Sequence, residues 1–240
     1  MSELKSVAIV QSNYIPWIGY FDLISSVDEF VLLDDVQFTK RDWRNRNLIK
    51  SQTGPKWLTI PVATKGRFNQ LVNETLVQGQ EWREQHWATL VHAYGKSAFF
   101  NEISDLLGPL YKDGRSEFLS AINREFIVEI SDFLNLNTTI TTSSQYPLTN
   151  EPTERLVSIC RAAGATTYVS GPAAKSYLDV SVFRRENIDV EWFEYPTYRQ
   201  YPQMWGGFES NMSIVDMLFN LGEASLEQVL ESGSRRISST

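Results

Sequence analysis

Cysteine occurs once in this chain of 240 residues, at Cys160. A lone thiol excludes an intramolecular disulfide and any cysteine-built zinc site. Cys160 falls in a helical pattern between Ile159 and Arg161 and reads as a small core residue. Histidine is nearly as scarce. His86 and His92 lie six positions apart, so they point to different faces of a helix and form no helical metal pair. No apolar run approaches the ~20 residues of a membrane-spanning helix, so no transmembrane segment is expected. The run near the N-terminus, 7–10, is too short for a signal peptide, and a cytoplasmic protein is expected. P-loop, GxSxG, HExxH and GxGxxG motifs are all missing, which removes the usual handles of several large enzyme classes. Basic residues are outnumbered, 22 against 29 acidic ones, for a net charge of −7. General nucleic-acid binding wants a basic face, so no nucleic-acid partner is expected. A local cationic patch is still compatible with that balance, and residues 40–50 form one.

With 42% hydrophobic and 21% charged residues, the composition is that of a globular protein able to bury a sizeable core. One stretch organises the rest. An apolar strand at 6–11 runs into the polar turn Gln11, Ser12, Asn13, Tyr14. A short helix at 17–26 follows, with Pro16 suited to its first position because a missing N–H costs nothing there. A second strand, 29–34, ends on Asp34 and Asp35. This order predicts a βαβ unit with two adjacent parallel strands, and open α/β sheets bind ligands at the C-terminal ends of such strands.

Residues 57–62 read as a third strand, and 63–79 as a loop with one short strand at 74–77. The spacing of Trp82, His86, Leu90 and Tyr94 predicts a helix stopped by Gly95. Helices at 101–112 and 116–134 follow, then a β-branched strand at 138–143. Pro152 opens a helix that Gly164 closes. A strand at 167–169, the turn Ser170-Gly171-Pro172, a helix at 173–178 and a strand at 190–193 come next. An aromatic loop spans 195–208, Ser213 caps a helix at 214–221, and a helix at 225–231 precedes a tail, 233–240, expected to fray. The pattern predicts an α/β fold: a Rossmann-like, mostly parallel sheet with a central helical insertion. Its parts are 1–79 with the expected site, 80–136 as the insertion and 137–232 as the second α/β half, together one domain.

Asp34 and Asp35 are adjacent in an extended chain and so point to opposite faces. They read either as a magnesium or manganese site beneath a diphosphate, as a general base, or as a solvated strand end paired with Arg41 or Arg44. Arg41, Arg44 and Arg46, with Asn45 and Asn47, offer planar donors suited to phosphate or carboxylate. Trp43 among them suits the face of a sugar or base. His86 falls on the apolar side of its helix, either as a satisfied core histidine or as a base tuned by burial. Gln11, Asn13 and Tyr14 project from the first strand tip. Tyr177, Tyr195, Tyr198, Tyr201 and Gln203 give a second aromatic and amide surface of the kind that stacks sugars.

The runs QSNYIPWIGYFDLI, FVLLDDVQFTKRDWRNRNLIK, WLTIPV, ATTYVSGPAAKSYL and SIVDMLFNLG resemble the WbqC-like family along essentially the whole chain. One departure is Ser12, where the family's usual run is Gln-Pro-Asn-Tyr, and losing the proline is expected to loosen the turn. The family is met in gene clusters for bacterial O-antigen and other surface polysaccharides. The resemblance implies transfer of glycine or a similar acyl group to an amino sugar. The positions that match are Gln11, Asn13, Tyr14, Asp35, Gln37, Arg44, Asn45, Arg46 and Ser170-Gly171. The opening strand, turn, helix and strand are also similar, at fold level alone, to HIGH-type nucleotidyltransferases, which bind ATP at that turn; no KMSKS-like signature accompanies them.

The leading expectation is an acyl or aminoacyl transferase acting on a nucleotide-linked amino sugar, with no required cofactor. Cations of 40–50 hold the diphosphate, and Trp17, Trp43 or the 195–203 aromatics pack the sugar. His86 or Asp35 takes the amine proton, and backbone N–H groups near Gly19 or Gly171 stabilise the oxyanion. The acyl group comes from an amino acid with ATP, a coenzyme A thioester or an acyl-carrier protein. The alternatives are a nucleotidyl or glycosyl transferase with magnesium on Asp34 or Asp35, and a non-catalytic sugar-nucleotide or carrier-protein binding module.

Overall fold

The computed structural model describes residues 4–231 and 233–239. Its central sheet has six strands: β1 (Ser6–Val10), β2 (Glu29–Leu32), β5 (Thr139–Thr142), β6 (Thr167–Ser170), β7 (Asp189–Glu194) and β8 (Arg235–Ser238). They lie in the order β5-β2-β1-β6-β7-β8. All neighbours are parallel except β7 and β8. Counted along this sheet alone, the order is 3-2-1-4-5-6, that of doubly wound dinucleotide-binding sheets. The order reverses between β1 and β6, so the crevice above their C-terminal ends is the topological switch point.

Alternation along the strands sorts residues to two faces. Ala8, Phe30, Leu32, Val169 and Phe193 join the larger core under α1 (Ile18–Ser25), the helical block and α7 (Ile214–Leu221). Val7, Ile9, Val31, Tyr168 and Val190 face the smaller core under α5 (Pro152–Ala162) and α6 (Val180–Arg185). The expected insertion is α2 (Glu81–Tyr94), α3 (Phe100–Lys112) and α4 (Leu119–Phe133). The punctuation residues act where expected. Pro152 sits in the first turn of α5, Gly164 takes φ +71°, and the Ser213 side chain accepts from the Val215 N–H. A last helix, α8 (Ser225–Leu230), packs against α1.

Four expectations need correction. The basic stretch is only half a loop: β3 (Arg46–Ser51) pairs antiparallel with β4 (Gly54–Thr59) as a separate hairpin, displacing the strand expected at 57–62. Asn47, Ile49 and Ser51 are buried on one side of β3, and cations on the other side masked that period. Residues 72–74 form a 3₁₀ turn, and the expected strand at 74–77 is reduced to isolated bridges from Leu76 and Val77. Helix α1 begins two residues after Pro16, because Trp17 holds its N-cap in extended backbone. The tail does not fray through 235–238, where β8 zips onto β7; Thr240 lies outside the described residues. No helix among the described residues is long and apolar enough to cross a membrane.

The turn between β1 and α1 is tied down from four directions. Asn47 Nδ2 donates to the carbonyls of Tyr14 (3.1 Å) and Ile15 (2.9 Å). Ser213 Oγ donates to the Ile15 carbonyl at 2.6 Å, and the Tyr14 N–H donates to the Trp43 carbonyl. The Ser12 N–H donates to Asp34 Oδ1 at 2.9 Å, and Asn123 Nδ2 donates to Ser12 Oγ. A proline at position 12 has no N–H to give Asp34, so serine fastens this turn rather than loosening it. Asn47 is 2% exposed, and removing its amide strips buried carbonyls of a donor. Asn47→Ala is therefore expected to destabilise the fold by about 2–4 kcal/mol in chemical denaturation. A change within about 0.5 kcal/mol, as for an ordinary surface substitution, would contradict the clamp.

Candidate functional site

A crevice of about 570 Å³ opens at the switch point. Gln11 leaves the end of β1, Leu33 and Val36 follow β2, and Ser170, Gly171 and Pro172 follow β6. Tyr195 enters beyond β7, Tyr177 stands at the rim, and Pro152, Arg155 and Leu156 arrive from the start of α5. Two guanidinium groups converge on this space. Arg44 Nη1 donates to Asn13 Oδ1 at 3.2 Å and pairs with Asp42 at 3.4 Å. The Arg44 carbonyl is pinned by Asn123 of α4. Arg155 Nε donates to the Thr149 carbonyl at 2.7 Å, and its Nη1 to the Asp35 carbonyl at 2.9 Å. Each arginine keeps further N–H groups beyond these tethers, the geometry that meets a phosphate or carboxylate with little ordering cost. The α5 N-terminus adds little, because Glu151 already accepts the Glu154 N–H. The lining carries no carboxylate and no imidazole. Burial pushes the Tyr195 phenol up to about 12, so it donates hydrogen bonds and takes no protons near neutrality.

Of the residues singled out in the sequence, Gln11, Arg44, Ser170, Gly171, Tyr177 and Tyr195 line the crevice, and Asn13 braces Arg44. Arg155 is a lining residue that sequence reasoning missed. Its signal is electrostatic: a cation in the first turn of a helix opposes the helix dipole, which favours acids there.

The two aspartates diverge, as adjacent extended residues must. Asp34 is buried against Ser12, and burial raises its carboxyl above the usual range. Asp35 turns the other way, accepting from Asn73 at 2.8 Å and from Ser143. Both border a smaller cavity of about 180 Å³ shared with Arg124, Ser120 and Ser144. Among the described residues no three His, Cys, Asp or Glu side chains gather as a metal site. Asp34 and Asp35 both meet protein donors, which fits a shared divalent cation poorly.

Several expected site residues lie outside the crevice and are held by contacts within the fold. His86 is 7% exposed and does not line the crevice. Its Nδ1 lies 2.9 Å from Tyr14 Oη, which meets Tyr111 Oη at 2.6 Å, inside a cluster with Trp82 and Phe126. Tyr14 is wholly buried, and Asn45 is spent on the Ile60 carbonyl. Gln37 reaches the Phe68 carbonyl, away from the crevice. Tyr201 donates to Asp216, and Gln203 links Tyr201, Lys50 and the Glu209 backbone, so both brace the aromatic loop. Trp17 packs on Tyr195 and Tyr198 beside a second cavity of about 510 Å³. Its indole covers Gly19, where a Cβ would lie 2.3 Å from the ring, so that position has no room for a side chain. Arg41, Trp43 and Arg46 lie outside the crevice on the hairpin side.

Fold and crevice together define a doubly wound α/β protein with an arginine-bracketed crevice at its switch point. The chain belongs to the WbqC-like protein family, which matches residues 11–228. It is 52% identical over 219 residues to the uncharacterized protein Rv1507c of Mycobacterium tuberculosis, covering 91% of this chain and 95% of that protein. No solved structure matches.

Burial holds the His86 imidazole down to about 4, against 6.5 in an open chain. The unfolded chain then binds a proton that the folded one refuses. The stabilisation is complete above pH 6.5 and lost as pH falls toward 4. The loss attributable to this group is roughly 2–4 kcal/mol. Between pH 6.5 and 4, wild type is expected to lose more stability than His86→Gln by about that amount. Parallel pH curves for the two proteins would show that His86 is not held neutral.

Proposed function

We propose that this protein is a transferase that binds a nucleotide-linked amino sugar in the switch-point crevice and passes to its amine the acyl or aminoacyl group of an activated donor, a thioester or acyl adenylate whose thiol or AMP leaves as the amide forms, in building a bacterial surface polysaccharide. The observation that carries the reading is the convergence of Arg44 and Arg155 with Gln11 and the Ser170-Gly171 turn at the C-terminal edge of a doubly wound sheet. Two tethered guanidiniums suit a diphosphate. The apolar walls from Val10, Leu33 and Leu156, with Tyr177 and Tyr195 at the opening, suit a base and a sugar. Asp35 takes the proton of the attacking amine in this reading: its carbonyl fixes Arg155, its carboxylate borders a separate cavity of about 180 Å³, and the amine end of the ligand reaches past the crevice toward it. The Gly171 backbone N–H faces the acyl oxyanion. His86, buried against Tyr14, has no part in the step.

The absence of carboxylate and imidazole from the crevice lining favours a second reading, a sugar-nucleotide binding module without chemistry of its own. A thermal-shift panel of nucleotide-sugars, ATP, coenzyme A and amino acids, each with and without magnesium, is followed by mass spectrometry for acylated product. A nucleotide-sugar at a hundred times its dissociation constant adds about 2.7 kcal/mol, or roughly 5–10 °C for a chain of this size. Arg44→Ala and Arg155→Ala are each expected to weaken that binding about 10- to 100-fold. Asp35→Asn should leave binding in place and abolish product. Binding without product under every donor points to the module, and no response to any nucleotide-sugar removes the proposal.

A further inference from the structure

Eight of the 22 lysines and arginines fall within residues 40–67, together with one of the 29 acidic residues. That segment carries a formal charge of +7 in a protein whose total is −7. Arg44 belongs to the crevice and Lys50 is buried, its ammonium held by Gln203 and the Gly207 carbonyl. The other six do not line the crevice, and they lie among three exposed aromatics. Trp43 is 43% exposed, Trp57 41% and Phe68 74%. Contacts join Lys40, Arg41 and Arg46 to these aromatics on one side of the hairpin. The Lys40 ammonium lies 5.4 Å from the Phe68 ring centre, and the Arg46 guanidinium lies 4.2 Å from that of Trp57. The Trp43 and Trp57 rings are 5.4 Å apart, and Arg46 donates to the Arg41 carbonyl at 2.5 Å.

We propose that this face seats the protein on an anionic lipid bilayer. Clustered cations are drawn to the negative potential of acidic headgroups. Tryptophan and phenylalanine among them gain by entering the interfacial zone, where an apolar ring and a polar edge are both satisfied. The alternative for a basic, aromatic surface is single-stranded nucleic acid, which needs open ring faces for its bases. Here two of the three rings already carry a cation on one face, Arg46 over Trp57 and Lys40 over Phe68, a pairing that competes with base stacking and not with insertion among headgroups. Phe68 also sits in a turn between Arg67 and Asn69, close after Gly66 with φ +73°, the kind of projecting loop that dips into a headgroup layer. Attachment is peripheral and reversible. Because Trp43 lies on this face and Arg44 lines the crevice, docking brings the crevice beside the bilayer, whatever ligand it holds.

Co-sedimentation with vesicles tests this directly. The full chain is spun with vesicles of phosphatidylcholine alone, and with vesicles carrying roughly one-third phosphatidylglycerol. Wild type is expected to pellet with the anionic vesicles only and to be released by molar salt, which shortens screening to about 3 Å. The double variant Lys40→Glu/Phe68→Ser alters two exposed side chains outside the crevice and should keep the wild-type melting point. Its partition onto anionic vesicles should fall at least about tenfold. Wild type left in the supernatant with anionic vesicles overturns the proposal, as does a double variant that pellets like wild type. A chain that ignores vesicles but binds a single-stranded oligonucleotide through Lys40 and Phe68 overturns it in favour of a nucleic-acid face.

Discussion

Everything at the C-terminal end of this sheet depends on how the chain leaves β1. Ile15 holds φ at +36°, a conformation that costs a β-branched residue free energy and persists only where the surroundings impose it. The imposition is visible. Asn47 reaches out of the β3–β4 hairpin to the carbonyls of Tyr14 and Ile15, and Ser213 reaches the Ile15 carbonyl from the start of α7. Asp34, at the end of β2, takes the Ser12 N–H from the other side. Three elements distant in sequence are thereby riveted to one turn.

The rivets decide where the guanidinium groups go. Because the Tyr14 N–H is held by the Trp43 carbonyl, residue 44 is delivered to the mouth of the crevice and residue 43 to the outside. Asn123 on α4 fixes the Arg44 backbone, and the Asp35 carbonyl fixes Arg155. Each arginine is therefore held by the sheet end rather than by its own long side chain, and little rotamer freedom is left to lose when an anion arrives. Tyr14 runs the opposite way, into a buried cluster with His86 and Tyr111, which anchors the turn to the helical block.

Much of this was legible in residue patterns. The βαβ opening, the parallel pairing of β1 and β2, the helical insertion and the Pro152, Gly164 and Ser213 boundaries all follow from periodicity and punctuation. The hairpin was hidden because cations and amides on β3 obscured the alternation beneath them. The β8 strand was hidden because small and basic residues at a chain end read as a solvated tail, although an edge strand needs only backbone partners. Within the polar run 40–50, composition identified a cationic, amide-rich segment and could not say which side chain faced which way. Arg44 lines the crevice, Asn45 and Asn47 are spent on backbone carbonyls, and Arg46 covers Trp57. For His86 the helical spacing gave the correct face, and the neighbours that bury it come from turns and helices far away in sequence. Arg155 carried a signal only against the helix dipole, a weak effect that periodicity does not register.

The central claim is that anionic ligands bind at the switch point, between the ends of β1 and β6. Hydrogen–deuterium exchange with and without a nucleotide-sugar is the most direct measurement of it. Protection should concentrate in 11–14, 42–46, 149–156 and 170–174, the segments that converge on Arg44 and Arg155. Protection confined to the aromatic loop at 195–208, or to the helical block, would place the ligand elsewhere and contradict the account.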